Sequence, residues 1–320
     1  MDTNVRITDM QLNQRLEGFY VLKSAEVKAA TTNKPFLAAT LVDATGEISL
    51  KVWNYTGAIG KEDNGKVVKV RGMVDEYKDQ KQFIAQQIRM ATDEDLEAGS
   101  YKMVDLVPHA PINVYKEKKF ILDTIEAMED KDYKDITREI LEIHMDNFET
   151  CPAAKSVHHS FLNGLLMHTA NMLKQGKALA EIYGNAINND LLFAGIILHD
   201  IGKLDEFMLN DLGLVSEYSI EGSLLGHLTM GAQEVYITGC DLGIDREKLM
   251  LLQHLLLSHH GNPEWGAAVT PKCAEAFLLH YIDMIDSKME IFVEKSAEMR
   301  RGEYKLISGI GLEIYKHMGY

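Results

Sequence analysis

The chain is short of cysteine, proline, tryptophan and basic charge, and it contains no long apolar run. Its three cysteines, Cys151, Cys240 and Cys273, lie far apart and include no CxxC pair. That speaks against a disulfide framework and fits a reducing compartment. No window of 18 or more apolar residues occurs, so no transmembrane helix and no membrane partner are expected. The opening MDTNVRITDMQLNQ has neither the basic nor the apolar region of a signal peptide, which makes a cytoplasmic location the expectation. Lys and Arg number 33 against 48 Asp and Glu, a net charge of −15. Such acidity argues against broad, non-specific nucleic-acid binding. It leaves room for a local basic groove, or for a site whose metal ions supply the positive charge. The imbalance is uneven: residues 1–95 hold 13 basic and 14 acidic side chains, residues 96–320 hold 20 and 34.

With 320 residues, 46% of them apolar, the chain has length for about two domains. Residues 17–90 read as five strands, rich in β-branched and aromatic residues and partly alternating. NYTGAIGKEDNG, long enough for a short helix, separates the third from the fourth. Five strands with that insertion match a β-barrel of the OB type. Such barrels bind single strands by stacking bases on aromatics and tracking phosphates with Lys and Arg. Phe36, Trp53, Tyr55, Tyr77 and Phe83 are the candidate aromatics, with Lys34, Lys51, Lys69, Arg71, Lys78 and Lys81 around them. About half of the aromatics of a small barrel should instead fill its interior.

Residues 92–114 form a break, with the linker at 96–114 and packed in part, since TDEDLEAGS is polar and Pro108 and Pro111 follow closely. From residue 115 the spacing becomes helical. KEKKFILDTIEAMED and DITREILEIHMDNFE form two helices that brace a bundle, and a third element runs from Pro152 to about Gly184. The fold class expected is therefore multidomain α and β: a barrel over 1–95, then an all-α bundle over 115–320.

The bundle carries the chemistry. LLFAGIILHDIGKLDEF brings His199 and Asp200 together at the end of an apolar run. His168 precedes them; His227, His259, His260 and Asp283 follow, each in an apolar, helix-like context. Buried ionisable groups are costly unless paired or metal-bound, so their convergence points to a metal site. His158 and His159, on the same expected helix as His168, are candidate substrate contacts. His280 and Asp286 share a helix with Asp283 and are expected to support the ligands, or contact substrate, rather than bind metal. His144, His254 and His109 read as ordinary, partnered histidines. His260 could contact substrate or replace His259 as a ligand.

The order His168, His199-Asp200, Asp283 resembles that of the HD-domain metal phosphohydrolases. Together with HHSFLNGLLMHT, GHLTMGAQ, LLSHHGNPEWG and HYIDMIDSK, and with the barrel in front, the chain resembles the YhaM-type 3′-to-5′ exoribonucleases along nearly its whole length. The resemblance implies an HD-type helical bundle and two divalent ions, Mn favoured, with Fe, Co or Zn as alternatives. His168, His199, Asp200 and Asp283 would hold one ion. Asp200, His227 and His259 would hold the other, with a hydroxide between them. Lys203 would neutralise a phosphate oxygen, and His260 would act in catalysis. The implied partner is single-stranded RNA, or single-stranded DNA, cleaved to 5′-mononucleotides; a homo-oligomer stays open. Two rivals remain: a nucleotide or cyclic-dinucleotide phosphohydrolase with a structural barrel, and a nucleic-acid-binding regulator without activity.

Overall fold

A computed structural model describes residues 2–29, 34–77, 80–154, 161–210, 212–307 and 311–319. It divides into two compact units: Met1–His109 with Leu209–Gly213, and Ala110–Met208 with Leu214–Tyr320.

The first unit is a closed barrel. After the two-residue β1 (Asp2–Thr3) come β2 (Arg15–Ala29), β3 (Pro35–Asp43), β4 (Gly46–Trp53), β5 (Val67–Tyr77) and β6 (Gln80–Met90). The order β1-β2-β3-β4-β6-β5 closes through a β2–β5 pairing, and β4 runs parallel to β6. The period-2 reading holds along β3, where Leu37, Ala39 and Leu41 turn inward and alternate with more exposed neighbours. The insertion between β4 and β5 holds one 3-10 turn, Lys61–Asp63. Two of the five candidate stacking aromatics belong to the interior. Phe83 is fully buried, and Tyr55 is buried with its hydroxyl oxygen accepting the Ile59 N–H at 2.7 Å.

Part of the stretch expected as a linker is packed. Helix α1 (Asp93–Glu97) ends in it and α2 (Met103–Leu106) lies within it, and the first unit ends at His109. Local chemistry explains this. Thr92 and Asp95 form a reciprocal cap, and Asp95 also pairs with Arg89 at 2.6 Å. Tyr101 stacks on Phe19 with ring centroids 4.7 Å apart, and Leu106 and Val107 are buried. The polar composition of this stretch marks its outer side only.

The second unit is helical: α3 (Val114–Glu126), α4 (Lys131–Thr150), α5 (Gly164–Tyr183), α6 (Asn189–Leu198), α7 (Lys203–Glu206), α8 (Ile220–Leu242), α9 (Arg246–Ser258) and α10 (Ala274–Glu298). A short strand pair, β7 (Phe207–Leu209) with β8 (Val215–Tyr218), comes between α7 and α8, and a second, β9 (Tyr304–Ile307) with β10 (Leu312–Tyr315), follows α10. Helix α6 is apolar all round and nearly every side chain from Leu191 to Leu198 is buried, so it forms the axis of the core. Asn188 caps its start by accepting the Leu191 N–H. The sequence suggested that Pro152 stands near the start of a helix; instead it follows Cys151, the residue that caps the end of α4. Helix α5 begins only at Gly164, after Asn163 in a left-handed conformation (φ 62°). His158 and His159 therefore precede this helix and lie outside the described residues. None of the described helices is long and apolar enough to cross a membrane.

Candidate metal centre and nucleic-acid interface

Helix α6 ends in the core, and the chain turns at once into α7. His199 and Asp200 occupy that turn and are fully or almost fully buried. Gly202 permits the turn, because a Cβ there would stand 2.3 Å from the His227 carbonyl oxygen on α8. Helix α8 kinks at Gly226, immediately before His227. His259 and His260 follow the end of α9, and Gly261 then adopts a φ of 81° that favours glycine. A side chain at Gly261 would also meet the His280 ring at 2.3 Å. His168 comes from α5 and Asp283 from α10.

These elements bring seven sequence-selected residues around Asp200. Its Oδ2 lies 3.2 Å from His199 Nε2, 3.9 Å from His168 Nε2 and 2.6 Å from Lys203 Nζ. Its Oδ1 lies 3.5 Å from His227 Nε2 and 3.7 Å from His259 Nε2. His168 Nε2 stands 3.3 Å from Asp283 Oδ1. The donor atoms form three overlapping groups that could each hold an ion: His168, His199 and Asp283; His199, Asp200 and His259; His227, His259 and His260. His259 and His260 are thus both brought to the centre, rather than one replacing the other.

In four of these histidines the other ring nitrogen is already engaged. His199 Nδ1 donates to the Ile196 carbonyl and His259 Nδ1 to that of Leu256, both at 2.8 Å. His168 Nδ1 donates to Asp286 at 2.7 Å, and His227 Nδ1 to Glu206 at 3.1 Å. A carbonyl can only accept, so these partners put the proton on Nδ1 and turn each Nε2 lone pair inward. The Nε2 atoms and the Asp200 carboxylate then face one another at 3.2 to 3.9 Å, an arrangement that a cation between them would satisfy. His199 Nε2, Asp200 Oδ1, His227 Nε2 and His260 Nδ1 are buried without a hydrogen-bond partner among the described residues. Four orphaned polar atoms on one cavity fit divalent metal, and the mixed nitrogen and oxygen set without sulfur suits a first-row ion.

Electrostatics agree with that use. Burial opposes charge on Asp200, yet Lys203, His199 and His227 outweigh it and hold the carboxyl far below its usual range. Asp283 is likewise held low against burial, through its contact with His168. Burial and neighbouring imidazoles push His259 and His260 down, so both stay neutral and able to ligate. His168 differs: burial works against its charge, but Asp283 and Asp286 reverse that and lift the imidazole to about 9, so a metal ion would have to take the place of its Nε2 proton. Lys203 remains protonated despite burial, chiefly because of Asp200, and also donates to the Ala153 carbonyl at 2.8 Å.

Asp286 accepts from His168 Nδ1 and is not in any of the three groups. His280 is likewise outside them; its Nδ1 donates to the His259 carbonyl at 2.8 Å. His254 accepts the Lys272 N–H, and His144 pairs with Glu234. The residue missed in the sequence is Glu206. It accepts both the His227 N–H and its Nδ1–H. A buried carboxylate one turn beyond Lys203 was the signal available.

On the barrel, Trp53 packs against Phe36 at 5.0 Å, and Lys51 Nζ lies over both Trp53 and Tyr77, 5.7 and 4.6 Å from the ring centroids. Trp53 is 47% exposed. A groove beside this cluster is lined by Ser24, Lys28, Thr40, Ser49, Lys51 and Lys61. Arg71 is not part of it; on β5 it faces Glu17 and Gln87 and lines a separate depression with Lys69 and Arg89.

Family models match both units. One described as an OB-fold nucleic acid binding domain covers residues 21–91, and one described as an HD domain covers residues 165–288. The chain thus carries an OB-fold domain followed by an HD domain. Among solved structures, the second OB-fold domain of replication protein A from Methanococcus maripaludis is 16% identical, with a TM-score of 0.23 over 28% of this chain and 96% of its own. The OB domain of Ta0387 from Thermoplasma acidophilum is 14% identical, with a TM-score of 0.24 over 29% of this chain and 89% of its own. A replication protein A heterotrimer bound to ssDNA is 19% identical, with a TM-score of 0.23 over 28% of this chain and 65% of its own.

Proposed function

We propose that the protein is a metal-dependent phosphohydrolase acting on nucleotides or nucleic acids. The observation that carries this reading is the set of orphaned, buried donor atoms around Asp200. His168, His199, Asp283 and Asp200 Oδ2 would hold one ion; His227, His259, His260 and Asp200 Oδ1 would hold a second. Bound there, divalent ions supply Lewis acidity to a phosphoryl group and acidify water. The protein's own residues do the remainder. Asp200 stays ionised and offers one oxygen to each half of the site. Glu206, Asp286 and two backbone carbonyls hold the imidazoles in one tautomer, so nothing reorients when substrate arrives. Lys203 has three N–H donors. Asp200 and Ala153 take two, which leaves one for a phosphate oxygen.

The finer reading is a 3′-to-5′ exoribonuclease that releases 5′-mononucleotides from single-stranded RNA, with Mn as the working ion. Its support is the barrel, where Trp53, Phe36, Tyr77 and Lys51 offer ring faces and positive charge of the kind that holds single strands. The HD match and the donor groups support a nucleotide or cyclic-dinucleotide phosphohydrolase better than this finer reading, because neither bears on strand binding. One experiment separates them. Metal-stripped protein resupplied with Mn is given 5′-labelled single-stranded RNA and, separately, free nucleotides. Stepwise shortening with 5′-mononucleotide release supports the exonuclease. Intact RNA with hydrolysed nucleotides supports the second reading, and no hydrolysis of either by metal-loaded protein refutes both.

A further inference from the structure

A row of aromatic rings leads away from the metal centre. We propose that Trp265 is the stacking platform for the base of the nucleotide whose phosphate lies at the metal centre, with Tyr281 and Phe277 continuing the row for a neighbouring base. The inference rests on the phosphohydrolase reading above and deepens it.

Trp265 lies in the short loop that follows His260 and Gly261. It is 56% exposed, yet its ring stacks on His280 at 6.0 Å between centroids and 27° between planes. His280 in turn is bonded to the carbonyl of His259, a metal-facing residue. Gly266, the residue after Trp265, lies against the centre as well: a Cβ there would stand 3.3 Å from His260 Nδ1, one of the orphaned atoms. Trp265 is therefore tied by ring and backbone to both histidines of the pair. The row continues from His280 to Tyr281 at 4.9 Å and from Tyr281 to Phe277 at 4.7 Å. Those two rings are 46% and 54% exposed, on the helix that also supplies Asp283.

The loop is built to hold the indole still. Pro263 opens a 3-10 turn whose N–H groups close back on Asn262 and Pro263, and the Ala268 N–H bonds the Leu257 carbonyl at 3.0 Å. A large ring held rigid, backed by another ring on one face and open to solvent, gains by covering its free face with a planar group. A nucleobase is such a group, and stacking tolerates any base, as processive or broad hydrolysis of nucleotides requires.

The test reads the coupling between Trp265 and the base. An oligonucleotide and its analogue with an abasic 3′-terminal residue are compared in the native protein, Trp265→Ala and Trp265→Phe. Loss of the indole should raise KM for the base-bearing strand about 5- to 150-fold, leave the abasic strand unaffected, and be largely restored by Phe. Equal losses on both strands would overturn the proposal. So would unchanged kinetics with a changed oligomeric state, which would mean that the aromatic row seats a second copy. A second measurement does not depend on the alanine variant. The chain has two tryptophans, so Trp53→Phe leaves Trp265 as the sole indole emitter. Titration with 5′-phosphorylated diadenylate in calcium should quench that emission; unchanged emission at saturation overturns the platform. If free nucleotides quench and are hydrolysed while RNA stays intact, the platform stands and the exonuclease reading falls.

Discussion

Asp200 holds its charge inside the core because Lys203, His199 and His227 surround it. Asp200→Asn keeps the shape and removes that charge. Hydrolysis should fall by more than about 100-fold, exceeding the loss expected for supporting residues, and bound metal measured by elemental analysis should fall with it. Metal retention at full stoichiometry would exclude Asp200 as a shared ligand. Glu206 acts one step further out. Glu206→Gln should weaken divalent-ion affinity about 10- to 100-fold, read by isothermal titration, because His227 loses the acceptor that turns its ring. On the barrel, Tyr55 and Trp53 should part company. Tyr55→Phe strands the Ile59 N–H and should destabilise by about 1–3 kcal/mol, with single-strand affinity unchanged. Trp53→Ala should cost about 1–3 kcal/mol of that affinity with little effect on melting. The sequence grouped these two rings, because spacing along a strand does not reveal that Tyr55 sits past the end of β4 and folds inward.

At the scale of elements, the turn from α6 to α7 matters most. Gly202→Ala pushes a Cβ into the backbone of α8, so overpacking should cost about 1–3 kcal/mol in urea unfolding and displace His227 from Asp200. A second contact joins α4 to α8. The hydrogen bond to Glu234 raises the His144 pKa above 6.5, against the effect of burial. Its stabilisation is complete below the unfolded-state value and declines as pH rises through the folded one. His144→Gln should therefore flatten the decline in stability above pH 6.5, and an unaltered pH profile would disprove the link. Helix interiors were legible from apolar spacing, α3, α4 and α6 above all. The start of α5 was not, because the left-handed turn at Asn163 leaves little mark in a sequence whose apolar rhythm runs straight through it. The polar stretch after β6 is tied down by Thr92, Arg89 and Asp95 through local capping and pairing, detail that its composition does not specify.

For the molecule as a whole, metal should couple to folding. The centre gathers buried carboxylates and imidazoles whose lone pairs oppose one another, so divalent ions bind the native state and not the unfolded chain. Chelation should lower Tm, and restoring Mn to about 100 times its Kd should return about 2.7 kcal/mol; a Tm indifferent to chelator would count against the site. The sequence by itself determined the two-part organisation, the barrel strands and the histidine and aspartate set, because periodicity and residue chemistry are local properties. Only the tertiary structure decided that Asp200 turns Oδ2 toward His168 and His199 and Oδ1 toward His227 and His259, that His259 and His260 come together with His227, and that Glu206 holds His227. Those facts depend on where side chains from five helices and their connecting turns meet, a matter of packing and orientation that no spacing along the chain encodes.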